Sequence, residues 1–217
     1  GVCVVFFVSS RRPYRTYGQR NLVVSEAGMT ELRKTQIVVL YHSGYGHTEQ
    51  VAQHIVKGTE SVSDVATVLM SVAEIDWSAL AQADALIFGA PTYMGSVSAA
   101  FKQFMDDSSK IWFQLGWQDK LAAGFTNSGA LSGDKQVALQ QLQTFAAQHG
   151  MHWLSFPLQP TGTGPQDLNR LGANGGLMTQ SDNESASITP PSGDRLTAEH
   201  FGRHIAYCAQ RWVRGGH

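Results

Sequence analysis

The sequence has few cysteines, no long apolar run and no surplus of charge, and each absence excludes a class of protein. Two cysteines, Cys3 and Cys208, are too few for a disulfide framework, so we expect a reducing compartment and a cytoplasmic location. No apolar run approaches the roughly 18–20 residues that span a bilayer, so membrane insertion is not expected. The net charge of −1 gives no support to nucleic-acid binding, which favours a basic surplus. With 217 residues, 42% of them hydrophobic, the chain is long enough for one packed domain.

Two common nucleotide-binding signatures are also absent. A nucleoside-triphosphate loop needs a Lys after its second glycine, whereas His47 and Thr48 follow Gly46. The dinucleotide fingerprint GxGxxG is broken because Gly44 and Gly46 are followed by Glu49. A phosphate site in this stretch must therefore work without a fixed cation.

The stretch from Gln36 to Val56 has the pattern of a strand, a small-residue turn and a helix start. The run 37–41 is apolar and β-branched, which is typical of a strand buried on both faces. A helical period begins at Thr48, after a turn in which Ser43 and Thr48 surround two glycines. Glycines let the backbone approach a ligand, and the first helical turn has free N–H groups, so the turn suits one terminal monophosphate. An ordinary turn with a Thr cap is the alternative.

Strand and helix patterns continue to alternate along the chain. Strands are predicted at 37–41, 64–72, 85–89, 121–125 and 151–156, and helices at 48–58, 75–82, 98–109, 135–149 and 196–213. Residues 158–191 are rich in Gly, Pro, Asn, Ser and Thr and are predicted to be a long loop, which in a compact domain is usually functional or disordered. The alternation predicts an α/β fold with a doubly wound parallel sheet.

The first 28 residues do not fit this pattern. We expect 1–28 to be an extension, poorly ordered or artefactual, and 29–217 to form the domain. An extra edge strand over 2–8 is the alternative interpretation.

Three predicted turns leave the carboxyl ends of strands, where sheets of this kind bind ligands. They span 43–48, 91–97 and 126–133, and all three are rich in small or hydroxyl residues. Their convergence predicts a single ligand site formed by three loops.

Four motifs occur in the order known from one family of redox proteins. YHSGYGHTEQVA, IFGAPTYMGSVSAAFKQFMD, FTNSGALSGDKQ and FAAQHGM resemble the flavodoxin-like NAD(P)H:quinone oxidoreductases of the WrbA type. The resemblance covers about residues 35–213. It implies a five-stranded sheet of order 2-1-3-4-5, FMN as cofactor, and a homodimer or homotetramer. The implied partners are NAD(P)H and small quinones.

The resemblance also implies which residues bind the cofactor. The FMN phosphate would lie on the first turn and the isoalloxazine ring between the second and third, with a histidine joining the site across a subunit boundary. The implied cofactor-binding residues are Ser43, Gly44, Tyr45, Gly46, His47, Thr48, Pro91, Thr92, Tyr93, Met94, Gly95, Thr126, Asn127, Ser128, Gly129 and His149.

Aromatic and histidine side chains carry further hypotheses. The candidates to stack against nicotinamide or quinone are Tyr45, Tyr93, Trp112 and Trp117, because flat aromatic faces suit flat ligands. The family resemblance favours Tyr45 and Trp112 among them. His149 has an alternative role at a helix end, where it interacts well with the dipole. His200 and His204 are four residues apart but lack a third ligand, so no metal site is predicted.

The chain departs from the family in three places. Its second turn reads PTYMG where the family has PTRFG, so the uncharged ring of Tyr93 replaces an Arg. The family's glycine-heavy third loop reads NSGALSG over 127–133. The segment between the second and third strands is shorter than in typical members. These departures bear on oligomeric state and nicotinamide preference more than on FMN binding.

The leading functional hypothesis is an FMN-dependent oxidoreductase that passes two electrons from NAD(P)H to quinones. The mechanism would be ping-pong, in which NAD(P)H reduces the flavin and leaves before the quinone enters, and no protein nucleophile is needed. The alternative is a flavodoxin that transfers electrons between proteins, against which the low net charge argues because charge steers such encounters. A third possibility is a flavin reductase that releases FMN as a product.

Overall fold

The first strand along the part of the chain that the structure describes is buried on both faces of the sheet, as its apolar sequence predicts. The computed structural model describes residues 33–215, so the predicted extension at 1–28 and its alternative edge strand lie outside the described residues. The strands are β1 (Thr35–Tyr41), β2 (Val65–Ser71), β3 (Ala85–Tyr93), β4 (Ser96–Val97), β5 (Leu121–Ser128), β6 (His152–Trp153) and β7 (Leu177–Gln180). The helices are α1 (His47–Glu60), α2 (Trp77–Gln82), α3 (Ala99–Asp107), α4 (Ser109–Phe113), α5 (Lys135–Gln148) and α6 (Ser192–Arg214).

The main strands are parallel and run in the order β2-β1-β3-β5, with β6 and β7 on the outer edge of β5. β6 pairs with the start of β5 and β7 pairs with its end, so together they occupy the fifth position. The doubly wound parallel sheet of order 2-1-3-4-5 is thereby confirmed. Short β4 adds an antiparallel pairing to the end of β3.

The fifth strand differs from its prediction. Only His152 and Trp153 of the predicted 151–156 form a strand, and Pro157, which has no backbone N–H, follows before the chain leaves the sheet. The chain returns at β7, inside the stretch predicted to be a loop over 158–191. That loop prediction is wrong for 177–180, where the pattern of four residues is too short to be recognised.

Two apolar cores cover the two faces of the sheet. One is an aromatic cluster in which Phe88, Phe104 and Trp117 are almost completely buried between the sheet and helices α3 and α5. Each such side chain contributes roughly 1.5–3 kcal/mol through burial. The other core lies under α1 and α6, and β1 contributes to both.

Helices α1 and α6 approach closely on their shared face. A Cβ at Gly58 would lie 2.0 Å from the Glu199 carbonyl oxygen, and one at Gly202 would lie 2.1 Å from the Ile55 carbonyl oxygen. Only glycine fits at these two positions, because the neighbouring backbone fills the space. The close packing fixes α1, and with it the turn that precedes α1.

Candidate functional site

A cleft of about 590 Å³ lies at the carboxyl ends of β1, β3, β5 and β7. It brings together residues of all three predicted turns and adds a fourth segment, 181–186, which lies in the long loop predicted over 158–191 and was not predicted as part of the site. The lining residues are Ser43, Tyr45, His47, Thr48, Pro91, Thr92, Tyr93, Asn127, Ser128, Gly129, Ser181, Asp182, Asn183, Glu184, Ser185 and Ala186. The carboxyl ends of parallel strands are where such folds bind ligands, so this cleft is the candidate site.

The first turn is shaped to receive an anion. Gly46 has a φ of +86°, a left-handed conformation that favours glycine, and α1 begins at the next residue. No side chain of the described residues caps this helix start. The Ser43 hydroxyl is buried and has no hydrogen-bond partner among the described residues. Uncapped helix N–H groups and an unpartnered hydroxyl together suit a phosphate.

Two tyrosines form one wall of the cleft. The rings of Tyr45 and Tyr93 meet edge to face with centroids 6.4 Å apart, and Tyr45 is 80% exposed. Tyr93 lies over the first turn, since a Cβ at Gly44 would be 2.6 Å from its hydroxyl oxygen. Burial raises the pKa of Tyr93, as does neighbouring Tyr45, while a hydrogen bond with the Gly44 backbone lowers it. Tyr93 therefore presents a neutral ring and hydroxyl to the cleft.

The second turn is a tight hairpin and is shorter than the loop predicted over 91–97. Strand β3 continues to Tyr93, and only Met94 and Gly95 connect it to β4. Both connecting residues have positive φ values, +49° and +74°, as a two-residue hairpin of type I′ requires. Met94 is fully exposed at the tip. The hairpin thus exposes its tip residue directly after Tyr93, which lines the cleft.

The third turn begins later than the predicted residue 126, because β5 continues to Ser128. The hydroxyls of Thr92 and Thr126 are 2.7 Å apart in the buried space between β3 and β5. The side-chain oxygen of Asn127 accepts hydrogen bonds from the hydroxyls of Thr179 (2.8 Å) and Ser181 (3.1 Å). These contacts hold the floor of the cleft in one arrangement.

A lysine that the sequence did not indicate supports the third turn. Lys135 is completely buried, and its Nζ donates hydrogen bonds to the carbonyl oxygens of Ala130 (2.5 Å) and Leu131 (2.9 Å). Burial lowers the pKa of Lys135 to about 8. The side chain does not line the cleft; it holds the turn that does.

The fourth segment, 181–186, closes the cleft beside the phosphate turn. His47 Nε2 lies 2.8 Å from the Glu184 carbonyl oxygen, and the Ser181 backbone N–H donates to the Ser128 carbonyl oxygen at 3.1 Å. The length of the predicted loop at 158–191 was the one sequence signal that pointed here. Asp182 and Glu184 give this side of the cleft its acidic residues.

Two of the predicted site residues lie outside the cleft. Trp112 and His149 line a second groove, of about 500 Å³, between α3, α4 and α5. His149 Nε2 is 2.9 Å from the Ser108 hydroxyl and its ring packs on Trp117, with centroids 4.4 Å apart. Burial lowers the pKa of His149 to about 4. A role of His149 across a subunit boundary requires a second subunit and stays a prediction.

The remaining predicted residues belong to the three turns as predicted from the sequence, but they do not line the cleft. They are Gly44, Gly46, Met94, Gly95 and Thr126. Among the described residues, no group of three His, Cys, Asp or Glu side chains is placed to hold a metal ion. No helix in residues 33–215 is both long and apolar enough to cross a membrane.

The fold and the site together define a class of protein. A doubly wound parallel sheet carries a phosphate turn without a fixed cation, and two further turns with aromatic residues flank a cleft large enough for a flavin. The unpartnered Ser43 hydroxyl and the uncapped start of α1 fit the phosphate of FMN. These are the features of FMN-binding proteins with a flavodoxin-like fold.

Comparison with known proteins gives the family. A family described as NADPH-dependent FMN reductase matches residues 77–157. Flavodoxin FldP of Pseudomonas aeruginosa (strain UCBPP-PA14) is 42% identical over 180 residues, which cover 82% of this chain and 98% of the relative. An NAD(P)H dehydrogenase (quinone) of Paracoccus denitrificans (strain Pd 1222) is 29% identical over 201 residues, covering 83% and 97%.

A solved structure agrees with these relatives. The flavodoxin, WrbA-like protein from Agrobacterium tumefaciens is 38% identical, with a TM-score of 0.65, and the match covers 82% of this chain and 99% of that one. The chain belongs to the flavodoxin-like FMN reductase family, and FMN is its cofactor.

Proposed function

We propose that this protein is an FMN-carrying electron-transfer protein of the flavodoxin type, which exchanges electrons with protein partners and does not itself oxidise NAD(P)H. The observation that carries the proposal is the lining of the cleft. It consists of hydroxyls, amides, aromatic rings and two carboxylates, and none of the described lining residues is Lys or Arg. A nicotinamide nucleotide brings a pyrophosphate, which proteins bind with cationic side chains or a helix start. On this proposal the FMN phosphate occupies the helix start that lines this cleft, at His47 and Thr48.

The distribution of charge supports a protein partner. Four of the sixteen Lys and Arg residues and two of the seventeen Asp and Glu residues precede residue 33, so the described domain has 12 basic and 15 acidic residues and a net charge of −3. Acidic residues lie in the turns and helix starts at the carboxyl end of the sheet: Glu49, Glu74, Asp76, Asp134, Asp182 and Glu184. Two basic residues, Lys135 and Arg195, lie at helix starts of this same end. The opposite end has six basic residues and four acidic ones, so it has a small basic excess: Arg33, Lys34, Lys57, Lys120, Arg211 and Arg214 against Glu60, Asp64, Asp84 and Asp119.

The uneven distribution of charge between the two ends weakens the argument that low net charge disfavours a protein partner. The net charge of the whole chain is near zero, which argued against steering, but it averages an acidic end with a basic one. The acidic end is the end that carries the cleft. Such an asymmetric field steers a basic partner surface towards the cofactor.

When bound, FMN supplies the capacity to accept and release one or two electrons. The residues of the chain have simpler tasks. Ser43 and the first amides of α1 hold the phosphate, and Tyr45 and Tyr93 offer flat faces and exclude water from one side. No side chain needs to form a covalent bond.

Two-electron reduction of small quinones by NAD(P)H is the second candidate. It is supported by relatives named NAD(P)H dehydrogenase (quinone), at 27% and 29% identity. In that case a homodimer or homotetramer would have to bring Trp112 and His149 of one subunit to the cleft of another, because within one chain they line the other groove. The ping-pong mechanism and the stacking role of Tyr45 and Trp112 belong to this candidate.

Anaerobic reduction of the purified, FMN-loaded protein tests the proposal. We expect NADH or NADPH alone to leave the visible flavin band unchanged, and a catalytic amount of a ferredoxin–NADP reductase with NADPH to bleach it. Direct bleaching by NAD(P)H, followed by reoxidation with benzoquinone and parallel kinetic lines for the two substrates, would establish the quinone reductase instead. Size-exclusion chromatography with light scattering in the same buffer reports whether subunits associate.

A further inference from the structure

An ion pair lies buried behind the cleft without lining it. Arg170 Nε donates to Asp194 Oδ1 at 2.7 Å, and Arg170 Nη2 lies 3.2 Å from Asp194 Oδ2. The two side chains are only 8% and 2% exposed. Burying a charged pair is expensive unless its remaining groups are also hydrogen-bonded, and a pair that does not touch the ligand adds nothing to binding directly. Its surroundings show what it does.

Gln180, the last residue of β7, connects the pair to the cleft. Its backbone N–H donates to Asp194 Oδ2 at 2.8 Å, and its side-chain oxygen accepts from Arg170 Nη2 at 2.9 Å. Because the oxygen faces a guanidinium, the amide nitrogen must face the other way. That nitrogen donates to the Gly129 carbonyl oxygen and to Asp182 Oδ1, both at 2.8 Å.

The two acceptors belong to different walls of the cleft. Gly129 lies in the third turn, and Asp182 is the second residue of the fourth segment. One side chain therefore bridges both walls, and the ion pair fixes the orientation in which it does so. An amide whose two ends have such different partners has a single favourable rotamer.

The fourth segment is held at its other end as well. His47 Nε2 contacts the Glu184 carbonyl oxygen at 2.8 Å, and a Cβ at Gly46 would lie 3.1 Å from Ala186 Cβ. The segment thus lies between the Gln180 bridge and the phosphate turn. Any displacement at its base changes how closely its tip covers the phosphate turn.

We infer that Gln180 is a positioning residue of the FMN site, and that the Arg170–Asp194 pair acts through it to hold segment 181–186 against the phosphate turn. The inference rests on FMN occupying this cleft, and it extends the proposed function by assigning cofactor retention to three residues outside the predicted set. It is independent of whether the reduced flavin passes its electrons to a protein or to a quinone.

The variant Gln180→Glu tests the inference with almost no change in shape. The carboxylate keeps an acceptor for Arg170 but replaces the N–H donor with an oxygen that faces Gly129 and Asp182. We expect the dissociation constant for FMN, measured by quenching of flavin fluorescence, to rise about tenfold or more. Hydrogen exchange of the apo-protein should increase in 181–186 and 129–131 and stay unchanged in β1 and β3.

A second substitution separates positioning from general damage. Adding Asp182→Asn to Gln180→Glu supplies an amide that can donate to the new carboxylate, so we expect most of the lost FMN affinity to return, beyond the gain that Asp182→Asn alone gives in the wild-type background by removing a carboxylate from the cleft. Gln143→Glu, on the exposed face of α5, adds the same charge far from the bridge and should leave FMN affinity unchanged. If Gln180→Glu does not fold, Gln180→Met, which removes both contacts without adding charge, takes its place in the same titration.

The outcomes are distinct. Unchanged FMN affinity in a folded position-180 variant overturns the inference, and so does equal weakening by Gln143→Glu. A lowered affinity without rescue by Asp182→Asn also overturns it, because the loss would then reflect structural damage. Direct bleaching of the wild-type flavin by NADPH would overturn the proposed electron-transfer function and leave the positioning role intact.

Discussion

The flavin cleft and the second groove are nearly equal in volume, about 590 and 500 Å³, but their walls are made differently. Turns at strand ends form the cleft and supply backbone groups, hydroxyls and two carboxylates. Helix faces form the groove and supply apolar side chains such as Trp112 and Phe145, with His149 buried among them. Strand ends can satisfy a phosphate, whereas helix faces have already paired their backbone groups with each other. Volume alone therefore does not indicate where this protein binds its cofactor.

The largest expected effect comes from placing the same charge in each region. Thr48 is buried at the start of α1, so Thr48→Glu sets a carboxylate against the FMN phosphate. We expect FMN affinity to fall by about 100-fold or more. Thr144→Glu adds the charge to the groove and should leave affinity unchanged. Fluorescence titration of both apo-proteins measures the difference, and retention of FMN by Thr48→Glu would contradict the site.

A smaller effect is expected from filling the space above the phosphate turn. In Gly44→Ala the new Cβ would meet the Tyr93 hydroxyl at 2.6 Å, so the ring must move away from the turn. We expect FMN affinity to fall about tenfold. Adding Tyr93→Phe removes the hydroxyl and should restore most of the loss. If the double variant binds no better than Gly44→Ala, the contact is not the cause.

Truncating one aromatic side chain in the cleft and one in the groove gives a finer comparison of the two regions. Tyr45→Ala removes an exposed ring from the cleft, and we expect FMN to bind about threefold to tenfold more weakly. Trp112→Ala removes a half-exposed ring from the groove and should not change FMN binding by the monomer. Calorimetric titration at matched protein concentration provides the comparison. An equal loss in Trp112→Ala would show that the groove takes part in flavin binding through a second subunit.

The last prediction concerns His149 in the groove and the dependence of stability on pH. Burial lowers the pKa of His149 from 6.5 to about 4, so between these values the unfolded chain takes up a proton that the folded chain does not. The contribution of His149 to stability is therefore complete above pH 6.5 and is lost as the pH falls towards 4. When the pH falls from 7 to 4.5, we expect the free energy of unfolding of His149→Gln to decrease by about 1–2 kcal/mol less than that of the wild type. Urea unfolding of both apo-proteins at pH 7 and pH 4.5 tests it, with His200→Gln as control, and identical pH dependence would contradict it.

Much of the fold follows from short-range pattern. The apolar, β-branched run of β1 and the period change after Gly46 predict strand and helix, because a strand buried on both faces and a helix buried on one face need different spacings of apolar residues. The edge of the sheet does not follow, because β6 and β7 have only two and four residues and take their conformation from pairing with β5. Their burial depends on tertiary contacts that no local pattern records.

The candidate site was likewise predicted only in part from the sequence. Ser43, Tyr93 and Asn127 were predicted from the composition of their segments, which follow apolar runs; Tyr93 and Asn127 lie in the last residues of strands β3 and β5. Gln180 and Lys135 were missed, because neither belongs to a turn with a recognisable pattern and both act through backbone oxygens of distant residues. The third and second turns were predicted too long since hydroxyl-rich strand ends such as Thr126–Ser128 look like loop in sequence.

The absence of Lys and Arg from the described lining of the cleft has a consequence for ionic strength. Sites that hold a phosphate with cations lose affinity as salt rises, because screening weakens the attraction. In the proposed site neutral hydroxyls and amides would receive the phosphate, and the carboxylates among the lining residues, Asp182 and Glu184, would repel it. Added salt screens this repulsion, so we expect FMN to stay bound at high salt concentration. The electrostatic attraction between the protein and the proposed charged partner weakens under the same conditions. We therefore expect salt concentration to change the binding of the proposed partner and to leave the binding of FMN unchanged.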